Sequence, residues 1–256
     1  MNLTKCVDTL CLLSPLDLAA EWDNVGLLLE SGQDVNRIML TLDLTKQVAA
    51  EAVDQKADLL IAYHPPIFIG LKRLTTADPM TDALLRLFRA GVSVFSPHTA
   101  LDAAPNGVSD WLTEPFSEAT VTPVEGSGRL LEFPAPIQVD ALARKLQNHL
   151  NLPYLRHAPA ASASDTVRSL AICPGAGASI LREMNVDAVF TGEMRHHDIL
   201  AISQRGVHVF LSEHTHTERP YLQVYKQRLL EVLPPEISVL ISSLDAEPVQ
   251  LRPFHA

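Results

Sequence analysis

The stretch Leu59-Leu60-Ile61-Ala62-Tyr63-His64-Pro65-Pro66 decides the fold. Its four leading apolar residues read as a strand buried on both faces, the habit of parallel sheets covered by helices on each side. The prolines end the strand, and His64 falls just past its carboxyl end, where open α/β sheets place their ligands. Two other stretches share this construction. Val92-Ser93-Val94-Phe95 leads to His98-Thr99-Ala100-Leu101-Asp102, and Val207-His208-Val209-Phe210-Leu211 leads to His214-Thr215-His216-Thr217-Glu218. Histidines and carboxylates delivered by three separate strand ends point to a divalent-metal site.

Outward from these stretches the chain reads as α/β throughout. Leu3, Val7, Leu10 and Leu13 fall at helical spacing, with Pro15 as the stop. Arg37 to Leu42 reads as a strand, Thr45 as the N-cap of a helix over Lys46 to Lys56, and Asp82 to Arg89 as a helix. The segment from Glu114 to Gly128, rich in Pro, Thr, Glu and Gly, reads as a boundary. Beyond it the pattern restarts. Arg129 to Phe133, Thr166 to Cys173, Asp187 to Phe190, Gly206 to Leu211 and Ile237 to Ile241 read as strands. Val139 to Leu150, the run to Met184, Ile199 to Gln204 and Pro220 to Val232 read as helices.

The halves resemble each other. GVSVFSPHT from Gly91 and GVHVFLSEHT from Gly206 both run from glycine through alternating Val and Phe to His-Thr. DLLIAYHP from Asp58 has a looser partner in DAVFTGEM from Asp187. The expectation is two similar α/β/α domains from an internal duplication, 1–115 and 116–256, with the last strand able to return to the first.

Composition narrows the function classes. A net charge of −10 over 256 residues argues against nucleic acid as the main partner, because that affinity rests on Lys and Arg neutralising phosphates. Three cysteines (Cys6, Cys11, Cys173) make neither metal-knuckle spacing nor an even disulfide framework, which suggests a reducing compartment. No apolar run is long enough for a membrane span, and the first residues lack signal- and transit-peptide features. A cytoplasmic protein is expected.

His98 and Asp102 are four positions apart, as are His214 and Glu218. On a helical turn this spacing puts both side chains on one face, suiting two ligands of one ion. Imidazole with carboxylate admits Zn, Fe, Mn or Mg. The same residues can equally cap loops or hydrogen-bond within the fold. Glu193, His196, His197 and Asp198 follow another strand, where they satisfy helix N-terminal polarity or line the site and orient a ligating histidine. Glu193 and His197 are candidate proton carriers. The Gly175/Gly177 loop lacks the dinucleotide fingerprint and the P-loop lysine, so it reads as a tight strand-to-helix turn.

Taken together, several pieces resemble one family. They are Trp22-Asp23-Asn24-Val25-Gly26-Leu27, Tyr63-His64-Pro65-Pro66, Ser96-Pro97-His98-Thr99 through Asp102, Gly175-Ala176-Gly177, Thr191-Gly192-Glu193 with His196-His197, and His214 through Glu218. The chain resembles the NGG-interacting-factor-three-like family, often labelled GTP cyclohydrolase 1 type 2 homologues. The resemblance implies two similar α/β/α domains, a two-metal site in the cleft between them, and a toroidal homohexamer. It implies that His64 and Asp102 bind one metal, His214 the other, and that Glu218 bridges both. Where the family usually has His-His, this chain has Tyr63-His64, as members closer to the eukaryotic branch do. The implied activity is that of a divalent-metal-dependent hydrolase with up to two metal ions per chain and a small, nucleotide-like substrate. A non-catalytic, metal-stabilised scaffold for transcription-related protein partners, in the cytoplasm or nucleus, is the alternative.

Overall fold

Leu59–Ala62 is buried at every position and lies between two parallel neighbours. In the computed structural model, which describes residues 1–32, 34–161 and 164–249, this strand is third in the chain. The first unit comprises residues 1–9, 24–97 and 226–256, and the second comprises 10–23 and 98–225. Residues 98–115, read from sequence with the first half, therefore fall within the second unit, and 226–256 fall within the first.

The first unit's sheet contains β1 (Gly26–Leu29), β2 (Arg37–Thr41), β3 (Leu59–Ala62) and β4 (Ser93–Ser96), plus the late strand Ser238–Ile241. Its order is β1-β4-β3-β2 followed by the late strand. All are parallel except β1, which runs antiparallel to β4 at the edge. Helices Lys46–Asp54 and Pro79–Arg89 cover one face, packing Val48, Ala52, Leu84 and Leu87 against Met39, Leu60 and Val94. Thr45 caps the first helix, its hydroxyl accepting from Val48 N at 3.2 Å, a contact generally worth about 1 kcal/mol. Asp78 caps the second helix, with Pro79 at its first position.

The second unit holds β5 (Thr120–Val124), β6 (Gly128–Gln138), β7 (Arg156–Ala158), β8 (Thr166–Ile172), β9 (Ala188–Thr191) and β10 (His208–Leu211), in the order β5-β6-β8-β9-β10-β7. β8, β9 and β10 are parallel, and β7 closes the edge antiparallel to β10. Helices Ala178–Leu181 and His196–Gln204 cover one face, with Leu181 and Ile202 against Ala171, Val189 and Val209.

The duplication extends to its pins. The Asp58 carboxylate accepts from the backbone N–H groups of Asn36 and Arg37 at 2.8 and 2.9 Å, fixing the start of β2. Asp187 does the same for Arg168 and Ser169 at 2.7 and 3.0 Å, within β8 just before its pairing with β9 begins at Leu170. Gly91 and Gly206 both carry positive φ (79° and 88°) at the turn into the third parallel strand, a conformation costly for any residue with a Cβ.

Three readings needed revision. The segment Glu114 to Gly128, read as a boundary, carries regular structure: it contains β5, paired antiparallel with β6 across a turn at Glu125-Gly126. β6 runs on to Gln138, past the expected end at Phe133. The helix expected to reach Met184 stops at Leu181.

Candidate metal centre

Three histidines in the described residues share one arrangement. His64 Nδ1 lies 2.8 Å from Asp43 Oδ1, His98 Nδ1 lies 2.8 Å from Asp23 Oδ1, and His214 Nδ1 lies 2.8 Å from Glu193 Oε1. An ionised carboxylate only accepts, so each Nδ1 carries the proton and each Nε2 presents a lone pair. This carboxylate–histidine pattern is the usual second layer of a metal site, fixing the ring and its tautomer.

Local structure explains each pair. In the first unit, Asp43 stands two residues beyond β2 and His64 two residues beyond β3. These are neighbouring parallel strands, so both side chains start at the same end of the sheet. Tyr63, at the position where the resemblance expects histidine, is buried. Its carbonyl accepts from Ser96 Oγ at 2.8 Å, and its ring meets His64 edge-on at 5.1 Å.

In the second unit, Glu193 follows β9 and His214 follows β10, again neighbouring parallel strands. His214 Nε2 is 3.3 Å from Oε1 of Glu218, whose side chain is buried. The i, i+4 spacing thus brings the two side chains together, on the short 3-10 helix His214–Thr217 rather than on an α-helix. Glu213, just before it, has φ 75° and ψ 152°, a region populated almost solely by glycine. Its carboxylate meets Arg156 at 3.3 Å.

The Gly175–Gly177 loop forms the floor under His214 and Glu218. Thr217 Oγ1 accepts from Gly175 N at 2.8 Å and donates to His214 O at 2.7 Å. Thr191 Oγ1 accepts from Gly177 N and donates to Gly175 O, both at 2.9 Å. Gly175 has φ 59°, and a Cβ there would lie 2.5 Å from Glu218 Oε1 and 3.0 Å from His214 Nε2. The loop is thus a turn shaped to clear His214 and Glu218.

His98 begins the helix His98–Ala103 with φ 29°. The Asp23 carboxylate, fully buried, holds His98 and accepts from Thr99 N at 3.1 Å and Thr99 Oγ1 at 2.5 Å. Trp22 lies edge-on to the same imidazole at 6.1 Å. Asp102 is buried one turn on. Asp102 and Glu218 both act on Cys173: burial first, then the Asp102 charge and more weakly that of Glu218, push its thiol up to about 12. That thiol stays neutral, an inert neighbour of two carboxylates.

His197 is exposed on the first turn of His196–Gln204, edge-on to His196 at 5.3 Å. His216 donates Nδ1–H to the Ser212 carbonyl, which leaves its Nε2 as the acceptor. Sequence reasoning missed Asp43 and did not assign Asp23 to His98. Asp43 had a usable signal, since it follows β2 at the same sheet end as His64.

The fold and site define a duplicated α/β protein carrying a His/Glu group of metal-ligand type, with histidines oriented by carboxylates. Residues 1–248 match the Duf34/NIF3 (NGG1p interacting factor 3) family, and the chain belongs to it. It is 36% identical to the protein NIF3 homolog of Schizosaccharomyces pombe, covering 91% of each chain. It is 34% identical to NGG1-interacting factor 3 of Saccharomyces cerevisiae, covering 89% of each. Among solved structures, reduced HcgD from Methanocaldococcus jannaschii shares the fold, with a TM-score of 0.83 at 22% identity over 95% of this chain and 98% of that one.

Proposed function

We propose that this protein is a divalent-metal-dependent hydrolase acting on a small, nucleotide-like substrate, with His64, Asp102, His214 and Glu218 holding up to two ions and His98 as a further ligand. The observation that carries the reading is the set of three histidines whose Nδ1 atoms are each committed to a carboxylate at 2.8 Å. Nitrogen and oxygen donors of this kind suit Zn, Fe, Mn or Mg. The clearance left at Gly175 beside Glu218 Oε1 and His214 Nε2 also fits a ligand pair. When bound, the metal would lower the pKa of water to supply hydroxide near neutral pH and would stabilise negative charge developing on the substrate.

The protein's own groups do the rest. Asp43, Asp23 and Glu193 keep the Nδ1 protons in place, so each Nε2 is the unprotonated nitrogen of its ring. Glu193 acts mainly by positioning His214, and His197, exposed on the first turn of its helix, is the proton carrier. The family label of GTP cyclohydrolase is one instance of this chemistry on a nucleotide.

A second reading, a metal-stabilised homohexameric scaffold for protein partners in the cytoplasm or nucleus, is favoured by an apolar surface loop. Phe68, Ile69, Leu71 and Leu74 are all exposed there. The name of the S. cerevisiae relative, NGG1-interacting factor 3, also denotes a protein interaction.

Elemental analysis of protein purified without chelator, then after anaerobic addition of Fe, Mn or Zn, tests the first reading. One or two ions per chain, lost in an Asp102→Ala, His214→Ala double variant together with nucleotide hydrolysis, is expected. No metal after reconstitution overturns it. Unchanged cellular function in the double variant favours the scaffold.

A further inference from the structure

A cavity of about 650 Å³ opens in the second unit beside Glu193. Its size falls within the roughly 300–1,000 Å³ of ordinary ligand pockets. Ser179, Arg182, Glu193, Arg195 and Asp198 supply its polar lining, with Ala176 and Ala178 from the glycine loop beneath His214.

Three of the four charged groups have partners. Arg182 donates through Nη1 to Asp198 at 3.1 Å, and its Nε is 3.3 Å from Glu183. Glu193 accepts from His214 Nδ1 at 2.8 Å. Arg195 is exposed and forms no ion pair among the described residues. In a chain of net charge −10, a guanidinium lining a cavity without an ion-pair partner among the described residues is a local source of positive potential. Guanidinium groups bind phosphoryl oxygens two at a time, with strong charge-assisted hydrogen bonds.

We propose that this cavity is the anion subsite of the substrate, with Arg195 and the Ser179 hydroxyl receiving a phosphoryl group. The remainder of the molecule then extends along Glu193 towards His214. The inference rests on the metal-dependent reading and narrows its substrate class to phosphorylated small molecules. Arg182, tied to Asp198, shapes the far wall and adds positive potential without leaving its partner. Ser179 also lines a smaller cavity of about 250 Å³ bordered by Trp22 and Thr99.

The test is calorimetric titration of the full chain, chelator-treated, with inorganic pyrophosphate. Wild-type protein should bind it, Arg195→Gln should weaken binding about tenfold or more, and Arg195→Lys should recover part of the loss. Metal content of reconstituted Arg195→Gln should match wild type. Equal pyrophosphate affinity in wild type and Arg195→Gln overturns the subsite, as does the absence of binding by wild type. Because the titration uses metal-free protein, its result is independent of the metal count. Pyrophosphate bound through Arg195 in protein that never takes up metal would uphold the subsite while removing the hydrolase reading.

Discussion

In the first unit, Asp43 beyond β2 holds His64 beyond β3; in the second, Glu193 beyond β9 holds His214 beyond β10. The sheets correspond strand by strand: β1 to β7, β2 to β8, β3 to β9 and β4 to β10, each set ending in an antiparallel edge strand. His64 and Glu193 therefore occupy equivalent positions, two residues past equivalent strands. One unit puts an imidazole there, and the other puts the carboxylate that orients an imidazole. Duplication has kept the backbone frame, with its Asp58 and Asp187 pins and its Gly91 and Gly206 turns, while the carboxylate–imidazole pair has shifted by one strand. Frame and chemistry are thus separable, and substitutions can address them one at a time.

The most damaging substitution should be Gly175→Val, which has no counterpart in the first unit. Its side chain would occupy the space of Glu218 Oε1 and His214 Nε2, and the positive φ would add about 1–2 kcal/mol of strain. Loss of metal at this pair, read by elemental analysis on folded protein, is the expected result. Full metal retention would show that the loop can move aside.

Next come the orienting carboxylates. Asp23→Asn, Asp43→Asn and Glu193→Gln should each lower metal affinity by roughly 10–100-fold. Asp23 should matter most and Glu193 least, because their side chains are 0% and 52% exposed, with Asp43 between at 39%. Competition with a chromophoric chelator would rank them, and equal losses would break the link between burial and orientation.

Smaller effects belong to the frame. Asp58→Ala and Asp187→Ala each remove two largely exposed bonds to backbone N–H groups, so each should cost about 0.5–1.5 kcal/mol in denaturant unfolding and leave metal content unchanged. A large effect in one unit and none in the other would argue that the pins are not equivalent.

The gentlest prediction concerns acid, and it distinguishes the units because both groups lie in the second. Burial, then the neighbouring His208, holds the His157 imidazole below its ordinary pKa; burial does the same for His149. His157 Nε2 is 3.0 Å from His208 Nδ1 and stacks on Phe210 at 4.4 Å. A depressed histidine favours the neutral, folded form. Its contribution is fully present above the ordinary value of about 6.5 and is lost as pH falls through the lower folded value. Thermal unfolding of metal-free protein should show this decline, and His157→Gln should flatten it.

The parallel strands and the histidines beyond them were legible because four-residue apolar runs ending in His leave few readings. The helix Val139–Leu150 was legible to the residue, since its buried Val139, Leu142, Leu146 and Leu150 hold helical period. β5 and β7 were not. Thr120 to Thr122 and Pro123 are exposed, as are Arg156 and His157, so these edge strands carry no buried alternation to detect. The division into discontinuous units was hidden for a different reason. Sequence order carries no mark that Leu10 to Asp23 folds with residues beyond 98. Asp43 escaped notice because an aspartate after a strand reads equally well as turn chemistry.

The strand Ser238–Ile241 completes the first sheet beside β2, and Ser238 meets Asn36 across 202 positions. On a ribosome adding roughly 5–20 residues per second, β2 is made on the order of 10–40 s before the neighbour that covers it. Throughout that interval Ile38, Met39 and Leu40 present an open, apolar edge while residues 98–225 of the second unit are being synthesised. The nascent chain therefore passes through a long window in which chaperone capture competes with self-association, and a late nonsense codon before Ser238 would make that window permanent.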